Sequence, residues 1–214
     1  MHGLRSLLRP VLALALILAC ANSVAQDRDN AVTLYAGYRD GGSFTDVASG
    51  NELHIEASGV ASFSLDWRFD ASRQLQLFVS RQSAQMGTEL ATPVPAGSAV
   101  PRKLPLRVTY LHIGGTSFLD GRIGQGAYLV GGLGATLFEP QVDGFQNELR
   151  PSLSLGIGYQ LPLGELVALR FEARGYATLF NSSSSVFCSG GCVVSIKGDT
   201  VTQGDVQIGL SFRY

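Results

Sequence analysis

The chain has 214 residues, a net charge of −1 and only 15% Asp, Glu, Lys and Arg, against about 25% in soluble domains. Near-neutrality excludes an electrostatic nucleic-acid binder, and two lysines, Lys103 and Lys197, are too few for the Lys- and Glu-rich exterior of a water-facing protein. Beyond residue 25 no apolar run approaches the roughly 20 residues of a membrane-spanning helix, which leaves strand closure into a barrel as the other way to satisfy backbone polar groups in lipid.

The N-terminus sets which residues belong to the fold. His2, Arg5 and Arg9 give a basic start, residues 11–19 are apolar, and Ser23 and Ala25 stand at the −3 and −1 positions of a cleavage site. This is the three-part pattern of a secretory signal peptide, with cleavage after Ala25, residues 1–25 removed and residues 26–214 forming one β domain. A rival reading takes Ile17-Leu18-Ala19-Cys20 as a lipobox with Cys20 lipidated. Leu18 fits that pattern poorly, whereas Ser23-Val24-Ala25 is a good conventional site.

Period-two alternation then recurs along the chain, the signature of half-wet strands. Val32, Leu34, Ala36 and Tyr38 form one face of a first strand. In a second, Ala61, Phe63, Leu65, Trp67 and Phe69 oppose Ser62, Ser64, Asp66 and Arg68; in a third, Leu75, Leu77 and Val79 oppose Gln74, Gln76 and Ser80. A fourth (about residues 106–116) and a fifth (about 126–138) are apolar on both faces, so their orientation stays open. The sixth sets Leu153, Leu155, Ile157 and Tyr159 against Ser152, Ser154, Gly156, Gly158 and Gln160. The seventh sets Val167, Leu169, Phe171, Ala173 and Leu179 against Arg170, Glu172, Arg174, Tyr176 and Thr178. The eighth sets Val206, Ile208, Leu210, Phe212 and Tyr214 against Asp205, Gln207, Gly209, Ser211 and Arg213.

Short connections at residues 70–72, 120–121 and 162–164 alternate with long ones at about 40–56, 83–104, 139–148 and 181–199. Tight periplasmic turns and long extracellular loops behave this way in an outer-membrane barrel. The expected fold is therefore all-β: an eight-stranded antiparallel up-and-down transmembrane β-barrel with both termini periplasmic. Alternation alone does not say which face is inside, and a soluble lipocalin-like periplasmic binder would invert it. Polar faces built of Ser, Gln, Gly and paired Arg and Glu favour a polar interior.

The last ten residues, Asp205-Val-Gln-Ile-Gly-Leu-Ser-Phe-Arg-Tyr214, alternate strictly and end on an aromatic residue. They resemble the C-terminal β-signal of outer-membrane proteins, carried here by Val206, Ile208, Leu210, Phe212 and Tyr214, with Tyr214 in place of the commoner Phe. Such a strand suits β-augmentation on a receptor, and the resemblance implies the β-barrel assembly machinery as a partner. Residues 27–214 as a whole resemble the small outer-membrane β-barrel superfamily of OmpA-type transmembrane domains, OmpX and opacity-type surface proteins. Gly131-Gly-Leu-Gly134 and Gly156-Ile-Gly158-Tyr159 share its glycine-rich character. The resemblance implies the outer membrane of a Gram-negative bacterium, contact with membrane lipid and lipopolysaccharide, and extracellular ligand or host-surface contacts through the loops. It does not transfer an activity.

Candidate chemistry is sparse. Arg170, Glu172 and Arg174, with Asp66, Arg68, Arg107, Arg150 and Arg213 on other strands, are expected in the lumen. Eight strands leave an interior that side chains fill, so an ion-paired plug is favoured over a conducting path for small solutes. Cys188 and Cys192 flank Ser-Gly-Gly in the last long loop; in an oxidising compartment a disulfide is the favoured reading, ahead of a metal site or free thiols. No catalytic, metal or cofactor site is assigned. A lipid A-modifying enzyme would need His, Ser and Asn or Asp gathered together. His112-Ile-Gly-Gly115 leaves Ser117 out of place, His54 is a generic match, and His112 reads as a strand residue near the interface. Trp67, Phe69, Phe212 and Tyr214 read as an aromatic girdle. The favoured function is a non-enzymatic outer-membrane barrel with a structural or surface-interaction role.

Overall fold

A computed structural model describes residues 28–45, 52–88, 103–142, 146–180, 185–188, 192–195 and 200–214; the signal segment with Cys20 and Ala25 lies outside them. Twelve strands are formed among these residues: β1 (Ala31–Arg39), β2 (Ser43–Thr45), β3 (Glu52–Ile55), β4 (Ser58–Arg68), β5 (Arg73–Thr88), β6 (Lys103–Phe118), β7 (Gly126–Pro140), β8 (Glu148–Pro162), β9 (Val167–Leu179), β10 (Ser185–Cys188), β11 (Cys192–Ser195) and β12 (Thr200–Arg213). Eight of them, β1, β4 to β9 and β12, pair antiparallel in chain order. The last returns to the first, with Leu210 of β12 opposite Leu34 of β1, so the sheet closes and no barrel edge stays unpaired. The short strands belong to two of the long connections: β2 and β3 form a hairpin that extends onto β5, and β10 pairs with β11.

The two faces resolve the orientation that alternation left open. Ser62, Ser64 and Asp66, Gln74 and Gln76, Ser152 and Ser154, and Arg170, Glu172 and Arg174 are buried inside, whereas Leu133, Leu155 and Ile157 are 71, 70 and 63% exposed outside. This is the inverse of a lipocalin and matches an exterior solvated by lipid. Trp67, Phe69, Phe212 and Tyr214 all lie exposed on the outside at the short-turn end, where residues 28–30, Tyr214 and the turns 69–72, 119–125 and 163–166 gather. In the first turn, Asp70 accepts hydrogen bonds from the backbone N–H groups of Ser72 (2.9 Å) and Arg73 (2.8 Å) and from Arg73 Nε (2.6 Å). The Ser72 amide, then Arg73, holds its carboxyl below the usual aspartate range.

One connection is shorter than its composition implied. Residues 83–104 read as loop, yet β5 runs on to Thr88 and β6 starts at Lys103. Toward this end of β5 and β6 the pattern reverses: Ala84, Met86, Leu106 and Val108 are buried inside, and Arg81, Ser83, Gln85 and Arg107 alternate with them on the outside. A strand leaving lipid for water exchanges its wet and greasy faces, so a search for one continuous alternation stops at the boundary.

Glycines on the adjacent strands β7 and β8 make room for long side chains to cross them. A Cβ on Gly158 of β8 would stand 2.1 Å from the Tyr128 ring, because that ring lies over β8 and its hydroxyl donates to Glu172 of β9 (3.0 Å). Likewise a Cβ on Gly134 of β7 would lie 2.7 Å from the His112 ring, whose nitrogens reach Ser154 and Ser152 of β8. Gly158→Ala is expected to displace Tyr128 and cost about 1–3 kcal/mol. Gly59→Ala, with nothing within 4 Å of the added carbon, serves as the neutral control. Urea midpoints in detergent micelles compare them, and equal midpoints would refute the crossing role of Gly158.

Candidate functional site

The lumen is filled by polar side chains that join into two networks, the central one closed on itself. The central one is a ring of six residues. Asp66 accepts from Gln76 Nε2 (2.8 Å), and Gln76 Oε1 accepts from Arg174 (2.9 Å). Arg174 Nε donates to Glu172 Oε1 (2.9 Å), and the other Glu172 oxygen accepts from Tyr128 (3.0 Å). Tyr128 accepts from Arg170 Nε (3.3 Å), and Arg170 closes the ring on Asp66 Oδ2 at 3.0 Å. Ser64 adds a third hydrogen bond to Asp66 at 2.8 Å. Asp66 and Gln76 stand on the adjacent strands β4 and β5, with Tyr128 and the arginines on β7 and β9 across the barrel, so the ring spans the interior.

A second network lies nearer the long-loop end. Arg39 contacts Asp205 Oδ2 through NH2 (2.6 Å) and Nε (3.1 Å) and donates to Ser80 (2.5 Å). Gln207 supports the other Asp205 oxygen at 3.0 Å, and Tyr110 donates to Gln203 at 2.7 Å.

Each lumen arginine is also stacked on an aromatic ring. Arg39 lies 4.5 Å from the Tyr176 centroid and 4.8 Å from that of Tyr110, Arg170 lies 4.6 Å from Tyr128, and Arg174 lies 3.8 Å from Phe78. A guanidinium is planar and weakly hydrated, so an aromatic face and a coplanar carboxylate replace water for it better than for an ammonium. This accounts for a lumen of arginines in a chain with so few lysines. Above the second network Phe138, Phe180, Leu106 and Val108 join an apolar cluster; below the ring, Phe118, Ile123 and Val130 cluster with the ring's Tyr128.

The sequence-selected residues divide. Asp66, Arg170, Glu172 and Arg174 come together in the ring. Arg68 sits at the short-turn mouth, partly exposed and 3.1 Å from Asp29. Arg213, at the same end, donates to the Gly164 carbonyl at 2.9 Å. Arg150 faces inward at the opposite end, in a separate pair with Glu148 at 3.1 Å. Arg107 contradicts its expected place: inward positions of β6 are the even ones, Leu106, Val108 and Tyr110, so Arg107 faces outward. Because β6 is apolar on both faces, its sequence carries no sign of this. Arg39 and Asp205 were missed as a pair, although both lie on polar faces of strands that closure makes neighbours, with Arg39 opposite Asp205.

His112 is not at an interface. It is buried in the lumen, with Nδ1 2.9 Å from Ser154 Oγ and Nε2 2.9 Å from Ser152 Oγ. Ser117, an odd position on β6, falls on the other face, and His54 is exposed on β3. Cys188 and Cys192 are register partners across β10 and β11; their side chains lie outside what the structure describes. Val206, Ile208, Leu210, Phe212 and Tyr214 form the outward face of the closing strand.

A closed eight-stranded antiparallel barrel, greasy outside and ion-paired within, is a fold that the chain shares with solved outer-membrane proteins. No family model matches the chain, and no curated protein is significantly similar to it in sequence. Among solved structures it is similar to Neisserial surface protein A, with a TM-score of 0.53 and 11% identity over 87% of this chain and 97% of that one. It is also similar to outer membrane protein AlkL, solved in lipid bilayers, with a TM-score of 0.50 and 15% identity over 91% of this chain and 94% of that one. At such identities the likeness is one of fold.

Proposed function

We propose that the protein is a non-enzymatic barrel of the Gram-negative outer membrane, with its long loops outside the cell and its termini in the periplasm, and that it acts in envelope structure or surface interaction through those loops. The observation that carries this reading is the closed ring of Asp66, Gln76, Arg174, Glu172, Tyr128 and Arg170 across the lumen. It occupies the route a solute would take, and opening it would strip several buried charges of their partners. The non-enzymatic part is supported by His112, whose two nitrogens are both engaged by serine hydroxyls inside the barrel. The orientation is supported by the gathering of the start of β1, Tyr214 and the short turns at one end. The loops would meet the extracellular ligand or host surface, the barrel would meet lipid and lipopolysaccharide, and β12 would meet the assembly machinery. A disulfide between Cys188 and Cys192, supported by their register pairing, would stiffen the tip of the last loop.

Planar-bilayer recording tests the plug. Folded protein, verified by its faster migration on unboiled SDS gels, is expected to give no reproducible conductance steps. Steps of uniform size would overturn the reading in favour of a narrow conduit.

A further inference from the structure

Arg81 of β5 and Arg107 of β6 stand on the outside of the barrel, in adjacent rows of the sheet. One row reads Arg81, Thr109, Leu137 and the next Ser83, Arg107, Glu139. Arg81 is steered by Thr109 (3.4 Å from its Nε) and by Glu139 (3.7 Å from its NH2), and its side chain is still 56% exposed. Arg107 makes no hydrogen bond or ion pair among the described residues. Two guanidinium groups against one carboxylate leave the patch net cationic.

Its depth is fixed by what lies below. The next rows toward the short-turn end are Val79, Leu111, Ala135 and Leu77, Ile113, Leu133, whose Leu111, Ile113 and Leu133 are exposed. An arginine on the lipid face is tolerated where the hydrocarbon ends and resisted at its centre, so the last apolar row and the first arginine row bracket the headgroup level. The patch is also local. At this end the outward positions of the other barrel strands are Tyr38 on β1, Gly59 on β4, Leu149 on β8, Leu179 on β9 and Thr202 on β12, none of them cationic. A general anchoring belt would be spread around the barrel; a pair on two adjacent strands over an apolar wall has the form of a site.

We propose that Arg81 and Arg107 bind the phosphate of a lipid headgroup whose acyl chains lie on Leu111, Leu133 and Leu137. With the orientation proposed above, on which this assignment rests, that lipid is of the phosphorylated lipid A class. The arginine fork matches a phosphate bidentately, and a cation at an anionic membrane surface gains attraction that neither water nor a zwitterionic headgroup supplies.

The test places the full chain in nanodiscs of zwitterionic lipid and follows, by native mass spectrometry, retention of lipid A bearing both phosphates, of lipid A stripped of phosphate, and of inorganic phosphate. Retention of the phosphorylated lipid is expected to fall about 5-fold in Arg81→Gln and in Arg107→Gln, and about 25-fold in the double variant, with the stripped lipid unaffected. A double Arg→Lys variant, keeping charge without the fork, is expected to fall between. The barrel's fold in each variant is read from its heat-modifiable band, and the rim position of both residues makes folding of all of them expected. Equal retention of phosphorylated and stripped lipid A, or unchanged retention in the double glutamine variant, would overturn the site. Inorganic phosphate binding as tightly as the lipid would overturn the acyl part. Protease cleavage within residues 89–102 on intact cells separately reports orientation. Retained phosphate-dependent binding with a protected loop would reject lipid A as the source and the orientation with it, while leaving the headgroup site in place.

Discussion

Asp66→Ala is expected to destabilise the folded barrel by about 3–5 kcal/mol, because it removes the counter-ion of a buried guanidinium and leaves that charge behind. Arg170 and Asp66 are both fully inaccessible, 3.0 Å apart. Without the carboxylate, Arg170 keeps only the neutral oxygens of Tyr128 at 3.3 Å and Thr33 at 3.4 Å, and Ser64 and Gln76 each lose an acceptor. Exposed ion pairs behave differently: the Arg28–Glu165 pair, 52 and 89% exposed, is of the kind worth about 0–1 kcal/mol. The double replacement Asp66→Leu with Arg170→Met is expected to recover most of the loss, since apolar side chains of similar volume carry no desolvation penalty. Reversible urea unfolding in detergent micelles, read as a double-mutant cycle, separates the cases. A single-variant loss below about 1 kcal/mol would mean that the ring is incidental to stability.

The four charged members of the ring are legible because they lie on strands whose alternation is clean, whereas Tyr128 stands on β7, which is apolar on both faces. Arg170, Glu172 and Arg174 recur at period two on β9, and Asp66 continues the row of Ser62 and Ser64 on β4. What made the rest illegible is physical. On β6 the inward residues change character along the barrel, from Thr116 and His112 in the polar zone to Val108 and Leu106 in the apolar seal, so neither face of that strand looks wet and its sequence does not show that Arg107 faces outward. Arg39 sits on the last residue of β1, just past the alternating run, and its role needs Asp205 from the opposite end of the chain. Only barrel closure brings the two together. Long-range pairing of this kind carries no local signal, whereas tight turns such as Asp120-Gly121 do. The glycines of β7 and β8 stood out as motifs, but their task of letting Tyr128 and His112 reach across a strand appears only once the neighbours are known.

Leu133→Arg should cost the barrel about 2–4 kcal/mol in lipid, while Leu149→Arg should cost about 0–1 kcal/mol. Leu133 is 71% and Leu149 66% exposed, so accessibility alone predicts the same tolerance for both, as on a soluble protein. Depth separates them. Leu133 lies opposite Ile113 and Leu153 in the middle of the apolar belt, whereas Leu149 lies opposite Leu137, in the row of Arg81. A charge in the first position must thin the bilayer or draw water inward, and one in the second already sits among headgroups. Folding into vesicles from urea, with the folded fraction read on unboiled gels, is expected to show the large loss for Leu133→Arg only. Equal and negligible costs at the two positions would mean that water solvates the leucine belt, which would defeat the membrane assignment while leaving the barrel intact. A graded cost would place the hydrocarbon edge between the two residues, at the level where the outward arginines of β5 and β6 begin.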